Sequence, residues 1–161
     1  MTIVDLFEDI CKSIGVEFSY GHIREVASTL QQYSQTTEFS VLKYPRVILV
    51  LDFPEDRSNV GYIGAKLQVL IVANSSAQYK ADKRYELVFK PTLYPIYNKL
   101  MSKLLSSPYI DNNIIPHEKI DRYALSSALN ESILSDGKPL LVDNLDGIEI
   151  RNLSIKFVNI C

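Results

Sequence analysis

Tyr44-Pro-Arg-Val-Ile-Leu-Val-Leu-Asp-Phe53 and Ala65-Lys-Leu-Gln-Val-Leu-Ile-Val-Ala73 are the two stretches whose reading decides the fold. In the first, Val47, Leu49, Leu51 and Phe53 fall on one face of a strand, and Ile48 and Val50 on the other. Side chains alternate across a strand, so apolar residues at both parities predict a strand covered on both sides along its middle. In the second, Ile63, Ala65, Leu67, Val69 and Ile71 share a face, with Lys66 and Gln68 opposite. The short polar connection Pro54-Glu-Asp-Arg-Ser-Asn59 predicts that the two pair as an antiparallel hairpin.

Before the hairpin, Ile3, Leu6, Phe7, Ile10, Cys11 and Ile14 repeat at helical spacing. Thr2 with Asp5 three residues on makes a variant capping box, and Gly15 closes the helix. Val16 to Tyr20 alternates and reads as a short strand or an extended bridge. Ile23, Val26, Ala27 and Leu30 then mark a second amphipathic helix, and Ser34 to Glu38 reads as a polar loop. After the hairpin, Asp82 is placed to cap a helix through Leu87, Val88, Leu93, Ile96, Tyr97, Leu100, Met101 and Leu104, ending by Ser106. Pro91 and Pro95 lie inside that pattern; each lacks a backbone donor, so a kink or a fresh start is expected there.

Residues 107–145 are weakly patterned and read as an irregular excursion, with short strands expected at Ile120–Leu125 and Leu140–Val142. The chain closes on Ile148-Glu-Ile-Arg-Asn-Leu-Ser-Ile-Lys-Phe157. Ile148 and Ile150 have one parity; Leu153, Ile155 and Phe157 have the other. A strict strand cannot bury both sets on one face, so a bulge is expected at Arg151 or Asn152. The reading is one α+β domain over residues 1–161. Its sheet is mainly antiparallel, its amphipathic helices pack on one side, and one long Pro-broken helix follows the central hairpin.

The chain has 161 residues, enough for one self-sufficient core. A net charge of -2 argues against a dedicated nucleic-acid binder, which needs an excess of Lys and Arg for phosphates. No apolar run approaches the length of a membrane span. Met-Thr-Ile-Val-Asp lacks the basic start of a signal peptide, which suggests a reducing cytoplasm as the place of synthesis. Cys11 and Cys161 are accordingly read as free thiols, with Cys11 in the core.

The candidate chemistry is sparse. Asp52, Glu55 and Asp56 cluster at a strand end, where metal-dependent nucleases hold acidic ligands. The next strand offers Lys66-Leu-Gln68, without the acid such a site needs, so a solvated turn is the simpler reading. His22 and His117 have no second histidine or cysteine at ligand spacing. Gly61-Tyr-Ile-Gly64 leads into a strand and lacks the Lys-Ser/Thr ending of a phosphate loop. No catalytic, cofactor-binding or metal-ligating residue is assigned. Lys80, Lys83, Arg84 and Lys90, interleaved with Tyr79, Tyr85 and Phe89, form a basic aromatic cluster. Basic residues in a helix's first turn oppose its dipole, so contact with an acidic partner or nucleic acid is an alternative to a solvated helix start.

Several motifs together carry a resemblance: Tyr20-Gly21, Lys43-Tyr44-Pro45, Arg84-Tyr85, Phe89-Lys90-Pro91, Leu93-Tyr94-Pro95-Ile96-Tyr97 and the Leu145 to Ile155 ending. The chain resembles a group of small proteins from tailed bacteriophages and prophages of gut Bacteroidetes. Their layout in turn is similar to the tail terminator and tail completion proteins of tailed phages. The resemblance implies a virion protein assembled in the host cytoplasm. It implies a homo-oligomeric ring, commonly a hexamer, that caps the tail tube, docks the neck connector and lets DNA pass its lumen. On that reading the contact surfaces are the Pro54–Tyr62 loop (Pro54, Glu55, Asp56, Arg57, Tyr62) and the approach to the broken helix (Tyr79, Lys80, Lys83, Arg84). Two other readings stay open: a small enzyme or nuclease built on Asp52, Glu55 and Asp56, and a monomer that binds a host factor.

Overall fold

The computed structural model describes residues 1–34, 43–127 and 144–158, and for residues 31–34 the backbone alone. The expected strand at Leu140–Val142, most of the loop at Ser34–Glu38, and Cys161 lie outside these residues.

Helix α1 (Ile3–Ile14) carries the full capping box, with Thr2 accepting from the Asp5 backbone and Asp5 accepting from the Thr2 backbone. Gly15 ends it at φ 73°, the left-handed conformation in which a helix terminates most cheaply on glycine. Strand β1 (Glu17–Gly21), helix α2 (Ile23–Ser34) and strand β2 (Arg46–Val50) follow, and β1 pairs parallel with β2. Strand β3 (Glu55–Asp56) and the long strand β4 (Ile63–Asn74) come next; both β2 and β3 lie antiparallel to β4. Strand β5 (Glu118–Arg122) and strand β6 (Leu145–Phe157) complete a mixed sheet of order β1-β2-β4-β6-β5. The expected α+β class and mainly antiparallel sheet are what the structure shows. In the described part of the 107–145 excursion, the strand expected at Ile120–Leu125 forms slightly earlier, as β5, and pairs with β6. Strand β2 stops at Val50, earlier than the predicted Phe53, because Asp52 turns the chain at φ 67°.

The helices do not all lie on one side of the sheet. Phe7 and Cys11 of α1 pack with Val47, Leu49, Leu67, Val69, Ile71 and Ile148 on one face. Leu93, Leu100 and Leu104 of the later helices join the same cluster. Val26, Ala27 and Leu30 of α2 instead cover Ile48, Leu70 and Val72 on the opposite face. The physical reason is the parallel β1–β2 pair. Parallel neighbours require a crossover, and α2 is that crossover, so it must lie across the sheet. The apolar residues at the second parity of β2 and β4 are what it buries.

Helical backbone runs from α3 (Ala81–Arg84) through a π-helical stretch (Tyr85–Leu93) into α4 (Tyr94–Leu105). Pro91 sits inside the π-helical stretch and Pro95 in the first turn of α4. The wider winding, with Tyr94 N–H reaching Phe89 C=O five residues back, relieves the crowding that a proline ring creates in an α-helix. Asp82 does not cap this segment. Lys80 holds the cap position, and no side chain bonds there.

The bulge is where the pattern placed it. Leu67 faces Leu153 and Val69 faces Ile150, so Arg151 and Asn152 together oppose Gln68, and Asn152 adopts φ 51°. The extra residue returns Leu153, Ile155 and Phe157 to the face that holds Ile148 and Ile150.

Gly147, in β6, has no room for a side chain. A Cβ there would lie 2.6 Å from Leu125 Cδ2 and 2.7 Å from the Ile71 carbonyl oxygen. Because one obstacle is backbone, Gly147→Ala is expected to destabilise the fold by about 1–3 kcal/mol, read as a lower denaturant midpoint with unchanged slope.

Candidate contact surfaces

The Pro54–Tyr62 loop is solvent-facing over most of its length, with Val60 fully exposed. Local bonds shape it. Arg57 makes two hydrogen bonds to Glu55 Oε2, at 2.9 and 2.7 Å, and Asp56 accepts from Ser58 N–H at 3.0 Å. Tyr62 is half-buried beneath the Lys156 ammonium, 5.2 Å from its ring centre. Asp52 pairs with His22 at 3.1 Å. The three carboxylates singled out as possible metal ligands therefore turn to three different partners. Among the described residues, no three His, Cys, Asp or Glu side chains group so as to hold a metal ion.

The approach to the broken helix divides in two. Lys80 and Lys83 are exposed, and Lys90 pairs with Glu86 one helical turn away at 3.4 Å. Arg84, expected at the contact surface, is buried. Its guanidinium donates to Asp146 Oδ1, to the Tyr79 carbonyl at 2.9 Å, to the Ser76 carbonyl at 3.0 Å and to Ser75 Oγ at 3.2 Å. Asp146, fully buried, also accepts from Ser75 Oγ and from Ala124 N–H at 2.8 Å. Tyr79 is half-buried, and its carbonyl serves this same network. Five donors on a planar fork explain why arginine stands here: a buried carboxylate is tolerated only when its charge and lone pairs are met.

A second polar cluster lies where β5 meets α4. Tyr94 donates to Asp121 Oδ2 at 2.6 Å, and Lys119 reaches Asp121 Oδ1 at 2.6 Å. The Lys119 ammonium also sits over the rings of Tyr94 and Tyr97, at 4.6 and 5.5 Å. His117 Nδ1 lies 2.7 Å from the Ile115 carbonyl, and its Nε2 lies 2.7 Å from the Tyr97 hydroxyl. The hydrogen bond to Asp121, followed by burial, holds the Tyr94 phenol well above its ordinary value. Burial likewise raises Tyr97. Both hydroxyls thus stay protonated and serve as clasps that fix β5 to the helix. In the core, burial pushes the Cys11 thiol up to about 12, so its sulfur is an inert packing group.

On the other face of the sheet, Glu149 accepts from Arg151 at 2.6 Å, Arg122 at 2.8 Å and Gln68 at 3.0 Å. Burial alone would raise this carboxyl, but the bonds from Arg151 and Arg122 outweigh it and hold it below the ordinary range.

At the far side of the sheet, a cavity of about 720 Å³ runs along β1. Its floor is Phe18 to Gly21, and its walls are Glu8 of α1 and Glu25 to Thr29 of α2. Phe18 stacks on Tyr20 with ring centres 6.0 Å apart, and Tyr20 is 55% exposed. Neither this edge nor the β5 edge was singled out by the residue patterns. The available signal was shortness and charge, since both are five-residue segments carrying ionic side chains, as edge strands do.

No family model, no curated protein and no solved structure matches the chain. Among the described residues, no helix is long and apolar enough to cross a membrane.

Two outcomes follow for the buried charges. Arg84→Met leaves Asp146 buried and unpaired and is expected to cost about 3–5 kcal/mol in a denaturant titration, whereas Lys80→Glu and Lys83→Glu change stability by less than about 0.5 kcal/mol. Glu149 binds its proton less readily folded than unfolded. Its contribution is therefore present above the unfolded value of about 4.3 and is lost as pH falls through the lower folded value. Glu149→Gln should accordingly flatten the acid limb of a stability–pH curve, and an unchanged limb would contradict the assignment.

Proposed function

We propose that this chain is a structural protein of a phage virion, a tail-terminator-like subunit of the neck that acts by joining copies of itself into a ring. The observation that supports this reading best is the placement of the sheet's two end strands. Strand β1 lies at one end of the order β1-β2-β4-β6-β5 and β5 at the other, so among the described residues the sheet ends in two different strand edges on opposite sides. Edges of that kind suit head-to-tail association, in which a fixed rotation between neighbours closes a ring. The exposed Pro54–Tyr62 loop, with Val60 outermost, and the exposed pair Lys80 and Lys83 are the surfaces left for the tail tube on one side and the neck connector on the other. DNA passes the lumen in this reading. Its walls need no high-affinity phosphate site, in keeping with the net charge of -2.

Size-exclusion chromatography with light scattering tests the reading, with purified tail tubes added in a second arm. The expected result is a closed species several times the mass of the 18.3 kDa chain, either free or on tube ends. A species that stays monomeric in both arms and cleaves DNA with magnesium would overturn it.

A further inference from the structure

We propose that neighbouring subunits join by adding β5 of one to β1 of the next as an antiparallel pair, with Glu17 opposite Arg122. The inference rests on the ring reading and names its interface.

Strand direction comes first. Strand β1 runs with β2; β2 opposes β4, β4 opposes β6, and β6 opposes β5. Strands β1 and β5 of one sheet therefore run in opposite directions. If the sheet continues from one subunit into the next, β1 meets the neighbour's β5 antiparallel, the pairing that gives the better-aligned hydrogen bonds.

Backbone groups come next. Gly21 gives its carbonyl to Leu51 N–H on the β2 side, so Glu17, Ser19 and Gly21 bond inward. Phe18 and Tyr20 then present their N–H and C=O groups outward. Pro116 gives its carbonyl to Ser154 N–H of β6, which by the same alternation turns Glu118, Ile120 and Arg122 inward. Lys119 and Asp121 are left facing outward. The outward residues of the two strands become hydrogen-bonded partners when Phe18 lies opposite Asp121 and Tyr20 opposite Lys119. The Phe18 carbonyl already accepts from Arg46 Nη1 at 3.1 Å, so its second lone pair is the one offered.

Faces agree with this register. Phe18 packs against the cluster that includes α1 and α4, and Lys119 and Asp121 lie against Tyr94 beside that same cluster. Residues directly opposite in an antiparallel pair share a face, and these do. Backbone chirality makes the match of faces follow from the match of bonding, and the register with Glu17 opposite Arg122 is the one that pairs all five residues of each strand.

Charge completes the match. At β5, Glu149 serves the guanidinium groups of both Arg122 and Arg151, and Glu118 lies across from Arg151 but not from Arg122. Glu17 on the neighbour, which within its own subunit pairs with Arg46 only at 3.9 Å, supplies a further carboxylate to Arg122 on that face. Tyr20 offers its exposed ring to Lys119, and no like charges fall opposite one another.

Cysteine cross-linking between two single variants tests the interface. Ser19 and Ile120 would form a non-hydrogen-bonded pair, the kind with the closer side chains. Ser19→Cys and Ile120→Cys proteins are made in a Cys161→Ser background, mixed and oxidised, with Val60→Cys mixed with Ile120→Cys as the collisional control. The expected result is a disulfide-linked pair formed at least tenfold faster in the first mixture than in the control. Cross-linking of Ser19→Cys with itself at that rate would show β1 pairing with β1 and overturn the proposal. Assembly by light scattering with cross-linking no faster than the control would overturn the interface while leaving the ring standing. Glu17→Arg should weaken assembly, and Glu17→Arg combined with Arg122→Glu should restore it. Failure of that rescue in folded protein counts against the register.

Discussion

The buried pair of Arg84 and Asp146 is the interaction on which the arrangement of the other elements depends. Asp146 is the second residue of β6, and Arg84 ends α3, the helical turn that follows β4. Their bond spans 62 residues of sequence and draws in Ser75, Ser76, Tyr79 and Ala124. It thus fixes together the exit of β4, the entry of the helical segment, the turn after β5 and the start of β6. A buried ion pair gains little net stability against a well-packed apolar alternative, because both charges lose their water. What it contributes is a penalty for any other arrangement, since displacing either member strands a charge in the core.

With that junction set, the rest of β6 is placed by a conflict of parity. Its first half and second half bury opposite parities, and the bulge at Arg151 and Asn152 reconciles them against an unbroken β4. The bulge lies beside Glu149, whose ties to Arg122 and Arg151 link β5 to β6 on the face away from Tyr94 and Tyr97. Strand β5 is thus held from both faces, and its outer edge has no strand beside it among the described residues. Strand β1 is held by α1 and by its parallel bond to β2, and its outer edge also has no strand beside it among the described residues. The two edges differ in charge and in aromatic content, which is what an interface between unlike surfaces requires.

Much of this was legible in the residues because it is encoded locally. The stripe from Ile3 to Ile14 gave the first helix, Thr2 and Gly15 gave its ends, and the parity switch after Ile150 gave the bulge. The side of the sheet taken by α2 was not legible. An amphipathic stripe records that a helix is covered, not by which face, and the parallel pairing that decides it is a long-range fact. The burial of Arg84 is not marked locally, for a related reason. Its neighbours Lys80 and Lys83 are solvated, and nothing within a helical turn marks it as different. Its partner is an aspartate in a run that otherwise alternates like an ordinary strand. The residues do not mark the edges, because a strand becomes an edge only through what fails to pair with it.

The central claim is that subunits hold one another through β1 and β5. Hydrogen–deuterium exchange of the backbone, compared between dilute subunit and assembled species, tests it most directly. The account predicts slowed exchange on assembly at Phe18 and Tyr20 and at Lys119 and Asp121, with the amides of the Pro54–Tyr62 loop unchanged in the free ring. Equal exchange at these four residues in both states, with protection appearing elsewhere, would contradict it.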